Sequence, residues 1–159
     1  MSKNLNIGCG DDYLQNFINV DLPDNNKADI KLNLEDAKLP FDNNEISFIQ
    51  AKHVLEHVIN LSGLMKEFHR ILHADGILYI KVPYFKCEAA FADPTHVRYF
   101  SPITFAHFTD DEIGYKTSKT NRLFKLGWLS LIRHSRPTLD NGVDGSYFTE
   151  IEAELIAVK

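Results

Sequence analysis

The residue types able to bind ligands or do chemistry fall in a few short runs. Gly8-Cys9-Gly10 follows directly on the apolar segment Leu5-Asn6-Ile7. Glycines placed after a strand let the backbone approach a ligand closely at the carboxyl end of a parallel sheet, although a lone glycine pair is most often a turn. Asp21 closes a second apolar run, Ile18-Asn19-Val20. A carboxylate at a strand tip can accept hydrogen bonds from both hydroxyls of a ribose. His53-Val54-Leu55-Glu56-His57 fits the inverted zinc-peptidase pattern His-x-x-Glu-His, two histidines on a metal beside a glutamate base. That pattern needs both histidines on one face of a long helix, whereas Asn60 and Gly63 point to a break soon after His57. Zinc hydrolysis therefore ranks last among the readings. Asp93-Pro94-Thr95-His96-Val97-Arg98 is a polar run set among aromatic residues. The remaining His69, His73, His107 and His134 are dispersed, and no resident metal is expected.

Placing these runs together requires a sheet with crossover connections. Leu5–Ile7, Phe17–Val20, Ile46–Gln50 and Ile77–Val82 read as strands. Leu61, Leu64, Met65, Phe68, Ile71 and Leu72 recur at helical spacing, which predicts an amphipathic helix over 61–72. His73-Ala74-Asp75-Gly76 ends it, with the glycine expected in a left-handed cap. Strand, helix and strand from Ile46 to Val82 predict a right-handed parallel crossover. Tyr84–Thr120 reads as loop and short helix over one sheet edge. Leu126–His134 and Tyr147–Val158, joined through Pro137–Gly142, read as a closing antiparallel hairpin. Ten residues separate Gly10 from Asp21, too few for a full crossover helix. The first helix should shrink to a turn around Asp11-Asp12-Tyr13-Leu14.

A length of 159 residues with 44% hydrophobic content suits one domain spanning 1–159. A net charge of −5 opposes the neutralisation of a nucleic-acid backbone, so no nucleic-acid partner is expected. No apolar run approaches the roughly 20 residues of a membrane span, and no signal-peptide core opens the chain. Cys9 and Cys87 have no Cys-x-x-Cys spacing and read as free thiols of a reducing, cytoplasmic compartment.

Taken in order, five segments resemble the class I S-adenosylmethionine-dependent methyltransferases. They are Leu5–Gly10, Asn19-Val20-Asp21-Leu22, Leu39-Pro40-Phe41 with Asp42-Asn43-Asn44, His53–Val58 and Arg70–Leu78. The resemblance is to the group that includes ubiquinone/menaquinone-biosynthesis enzymes, and it runs from Leu5 to about Phe105. It implies an α/β, Rossmann-like sheet of about six or seven strands, mostly parallel with a C-terminal antiparallel hairpin and a shortened first helix. It also implies S-adenosyl-L-methionine as cofactor. Gly8, Cys9 and Gly10 would lie against its methionine part, and Asp21, with Leu22 beside it, would hold the ribose. Leu34, Glu35 and Asp36 would border the adenine. His53 would stand beside the cofactor, and Tyr13 would close the pocket where the first helix is missing.

The region after the strand ending at Val82 contributes to the acceptor pocket in similar methyltransferases. His96 is accordingly a candidate general base, and Asp93 and Arg98 are candidates for holding the acceptor, Arg98 through an anionic group. The implied reaction moves a methyl group to a small-molecule or glycan-type acceptor. Most members carry an acid two positions before the first glycine, where this chain has Asn6. Together with the shortened helix, Asn6 favours a second reading: a non-catalytic member that binds the cofactor, its demethylated product or a partner protein.

Overall fold

A computed structural model describes residues 3–35, 38–109, 123–134 and 147–159. Short β-prone runs punctuated by Asn-, Asp- and Gly-rich turns become the first four strands: β1 (Lys3–Ile7), β2 (Ile18–Asp21), β3 (Ile30–Lys31) and β4 (Ile46–Lys52). Helix α1 (Leu61–Ile71) leads into β5 (Leu72–Pro83), and β6 (Phe124–His134) and β7 (Tyr147–Ala157) follow two short helices, α2 (Ala89–Ala92) and α3 (Pro102–Ala106). Among the described residues these strands form one sheet in the order β3-β2-β1-β4-β5-β7-β6. Pairing is parallel from β3 to β5, and β7 lies antiparallel between β5 and β6. The expected closing antiparallel pair is present, while its connection at Pro137–Gly142 lies outside the described residues.

Helix α1 forms because its apolar residues share one face. Leu61, Leu64, Met65, Phe68 and Ile71 are all buried on it, each worth roughly 1.5–3 kcal/mol relative to exposure. Asn60 caps its start by accepting the Gly63 N–H at 3.0 Å. Its end differs from expectation. The helix stops at Ile71, Leu72 is already extended, and the left-handed residue is Asp75 (φ 62°) rather than Gly76. Gly76 instead admits a close approach, since a Cβ there would stand 3.0 Å from the His73 carbonyl oxygen.

The short β3 has too little apolar sequence to announce itself, and it pairs Val20 with Ile30 and Asp21 with Lys31. No helix forms between β1 and β2; turns span residues 8–17, as the short spacing demands. The segment after β5 is loop with two short helices, tied to the sheet by bridges Tyr84–Phe100 and Thr109–Phe124. It thus reaches the β6 edge, and it also sends Phe100, Phe105 and Phe108 into the main core. Residues 110–120 of that expected segment lie outside the described residues.

Candidate functional site

Strand order turns back between β1 and β4, the two strands on either side of the point from which the sheet was built outward. In open α/β sheets the crevice outside the carboxyl ends of such strands is where ligands bind. A cleft of about 430 Å³ opens there, lined by Gly8, Gly10, Asp21, Leu22, Leu34 and Glu35 together with Leu32, Asn33, His53, Val54, His57 and Val58. Most of the residues assigned from sequence to the cofactor are therefore brought together. Cys9 and Tyr13 are outside the lining, and Asp36 lies outside the described residues.

The two glycines are required for different reasons. Both have positive φ, 65° at Gly8 and 50° at Gly10. A Cβ on Gly8 would stand 2.6 Å from Val54 Cγ2, so the turn presses against the residue that follows His53. A Cβ on Gly10 would meet nothing within 4 Å, leaving its backbone open to the cleft.

Asp21 ties this turn to β2. Its Oδ2 accepts the Gly10 N–H at 2.6 Å and the Asn25 amide at 2.7 Å, and its Oδ1 accepts the Leu22 N–H at 2.7 Å. Burial works to raise the carboxyl pKa, but hydrogen bonds from Asn25, Leu22, Gly10 and Cys9 outweigh it, and the pKa lies below its ordinary value. The same charge acts on Cys9: burial first, then Asp21, pushes the thiol from 9.0 up to about 11. Asn25 also donates to the Gly10 carbonyl at 2.9 Å, a contact across 15 positions that no local sequence signal announces.

Asn6 belongs to a buried polar ladder. Its amide donates to the Asp12 carbonyl at 2.7 Å and to Asn19 Oδ1 at 3.0 Å, and its own oxygen accepts from Gln50 at 3.2 Å. Asn19 in turn donates to Asp29 and to the Leu14 carbonyl. This network takes over the task of the absent helix by holding residues 12–14 against the sheet. Tyr13 joins it from outside, with its hydroxyl on Asp29 at 3.1 Å.

His53 sits at the end of β4 with φ 50°, a conformation uncommon for a side-chain-bearing residue and held by its N–H on the Lys81 carbonyl. Its Nδ1 stands 3.5 Å from Glu56 and its Nε2 2.9 Å from Glu150. Contact with Glu56, opposed by burial and aided by Glu150, holds its pKa above the ordinary value. Glu150 comes from β7, with no local signal linking it to the site. The next residues form only a three-residue 3-10 turn, Leu55–His57. The long helix that a His-x-x-Glu-His metal site needs is therefore absent, and with it the geometry of the zinc-hydrolase reading.

The Asp93–Arg98 run leans on that turn, with Val97 N–H on the Glu56 carbonyl at 3.0 Å. Arg98 donates to the carbonyls of Val58 and Ile59, so its guanidinium holds the loop in place. His96 has its ring 4.8 Å from that of His57. Glu35 accepts the N–H groups of Ile59 and Asn60, fastening the cleft's outer wall.

A six-neighbour walk through the sheet, with the crevice at β1 and β4, defines the class: the chain has the class I, Rossmann-like methyltransferase fold. Its residues 5–80 match the family model described as "Methyltransferase domain". The matched model describes this domain in general and does not single out the ubiquinone/menaquinone group. Among solved structures, a protein from Bacillus halodurans assigned as a methyltransferase aligns with TM-score 0.69 and 12% identity, over 99% of this chain and 93% of its own. An S-adenosylmethionine-dependent methyltransferase from Archaeoglobus fulgidus aligns with TM-score 0.64 and 14% identity, over 98% and 86%. A chain from the Haloferax volcanii complex of the Trm112 methyltransferase activator with an assigned methyltransferase gives TM-score 0.69 and 12% identity, over 99% and 83%. No curated protein matches the sequence significantly.

Proposed function

We propose that this protein is an S-adenosylmethionine-dependent methyltransferase acting on a small-molecule or glycan-type acceptor. The observation that carries the reading is the single cleft wall built by Gly8, Gly10, Asp21, Leu22, Leu34 and His53, residues from four separate segments that meet at the sheet's crevice. Asp21 would accept the two ribose hydroxyls, with Asn25 shifting to make room on Oδ2. Leu22, Leu32, Leu34 and Val58 supply an apolar slot for a purine ring. The free space beside Gly10 would take the amino-acid end of the cofactor.

Bound there, the cofactor supplies an electrophilic sulfonium methyl. The protein's contribution is to hold an acceptor nucleophile in line with it and, for a hydroxyl acceptor, to take up the proton. His96 remains the proposed polar group on the acceptor side, with Asp93 beside it, while Arg98 serves to fix their loop. Calorimetric titration with S-adenosylmethionine and S-adenosylhomocysteine tests the reading. Saturable binding of both is expected, and no heat at about millimolar ligand would overturn it.

A second reading, cofactor or partner binding without turnover, is favoured by Asn6. Its carboxamide is consumed in the buried ladder, so no acid stands ready there for the cofactor's ammonium group. Saturable binding with no S-adenosylhomocysteine formed across a panel of hydroxyl, amine and glycan acceptors would favour it.

A further inference from the structure

We infer that Glu56, His57 and His96 form a binding site for a divalent transition-metal ion next to the cofactor cleft. Ligand atoms of the three side chains lie within 4.8 Å of one another. Atoms sharing one ion at about 2.0–2.2 Å stand roughly 3–4 Å apart, so small side-chain rotations close the set. The pattern differs from the His53-x-x-Glu56-His57 motif, because the second histidine comes from the loop after β5 and not from the strand end.

In each ring hydrogen bonds engage Nδ1 and leave Nε2 for an ion. His96 Nδ1 is 2.9 Å from the Ala90 carbonyl, which can only accept, so Nδ1 carries the proton and Nε2 carries the lone pair. His57 Nδ1 faces the Thr95 carbonyl at 3.3 Å and Thr95 Oγ1 at 2.9 Å. The Thr95 hydroxyl spends its proton on Asp93 Oδ1 at 2.6 Å, so toward His57 it accepts, and again Nε2 is left. A histidine that gives its other N–H to a carbonyl or to a hydroxyl held by a carboxylate is the usual outer shell of a metal site.

The carboxylate supplies the independent observation. Glu56 is 1% exposed, and among the described residues neither of its oxygens accepts a hydrogen bond. The nearest charged partner is His53, whose Nδ1 stands 3.5 Å from Glu56 Oε1, a long contact. A buried carboxylate with no hydrogen bond and only the edge of His53 beside it is costly, and a metal ion would complete its compensation. Two imidazoles and one carboxylate with open positions suit Zn²⁺, Fe²⁺ or Mn²⁺. The site stands on its own residues and does not depend on cofactor binding.

The test is titration of chelator-treated full chain with ZnCl₂ and with MnCl₂, followed by calorimetry and metal analysis after desalting. Saturation at about one ion per chain for at least one metal is expected, with affinity reduced about tenfold or more in Glu56→Gln and in His96→Ala. Absence of saturable binding of both metals, or wild-type affinity in His96→Ala, would overturn the site. His96 lies in a loop outside the sheet and helices, so His96→Ala, with a melting curve to show that it folds, decides the question should Glu56→Gln fail to fold. An S-adenosylmethionine isotherm on the same samples separates failure of the metal site from failure of the cofactor assignment.

Discussion

Asp21 Oδ2 accepts the backbone N–H of Gly10 at 2.6 Å, so the carboxylate proposed to hold a ribose also holds the glycine turn. The two features are one unit, and changes to either should move both stability and affinity. Asp21→Asn replaces a charged acceptor of four hydrogen bonds, from Gly10, Leu22, Asn25 and the Cys9 thiol, by an amide. It should lower stability by about 1–3 kcal/mol, read as a reduced denaturation midpoint. With a folded pKa below the ordinary 3.8, Asp21 contributes stability that is present above that value and lost as pH falls through the folded one. Acid unfolding followed by circular dichroism should begin at higher pH in wild type than the unfolding of Asp21→Asn relative to its own neutral-pH stability.

Gly8→Ala and Gly10→Ala should separate packing from backbone strain. At Gly8 the new methyl meets Val54 Cγ2 at 2.6 Å as well as positive φ, and a loss of about 2–4 kcal/mol is expected. At Gly10 the space is open, and only the roughly 1–2 kcal/mol of left-handed strain applies. Thermal melts of both variants, and of Gly8→Ala with Val54→Ala, check this; the second change should restore part of the loss.

Restoring the acid common in this class should harm this chain. Asn6→Asp removes two donors and points a carboxylate at the Asp12 carbonyl and Asn19 Oδ1. A cost of about 2–4 kcal/mol is expected by denaturant unfolding. A stable Asn6→Asp with tighter cofactor binding would show that the ladder is not what Asn6 serves.

Cys9 should be inert despite its place in the turn. With its pKa raised from 9.0 to about 11, the thiolate is scarce at neutral pH, and the side chain is buried. Alkylation of the native chain at pH 8 should be far slower than after unfolding, as mass spectrometry of the Cys9 peptide reads out. The folded chain holds this proton more tightly than the unfolded one, so stability should fall as pH rises from about 9 toward 11.

Local chemistry made much of this legible in sequence. Helix α1 followed from five apolar residues on one face, and the missing first helix followed from the ten residues between Gly10 and Asp21. Four strand runs, the antiparallel closing pair and most of the cleft lining were read from apolar runs and motif order. What escaped depended on distant partners. β3 is two residues long and exists through its pairing with β2. Glu150 reaches His53 from β7, and His96 reaches His57 across 39 positions, a meeting that no periodicity encodes. The end of α1 was misplaced because a glycine is the usual left-handed cap, whereas here Asp75 takes that conformation and Gly76 answers a steric demand.

The central claim is that the crevice at β1 and β4 holds S-adenosylmethionine with Asp21 on its ribose. The most direct measurement is a pair of calorimetric titrations, wild type and Asp21→Ala, each with its melting curve. Saturable wild-type binding with roughly 10–100-fold weaker binding in a folded Asp21→Ala is predicted, the loss expected from charged hydrogen bonds to two hydroxyls. Unchanged affinity in Asp21→Ala, or no wild-type binding at about millimolar ligand, would contradict it.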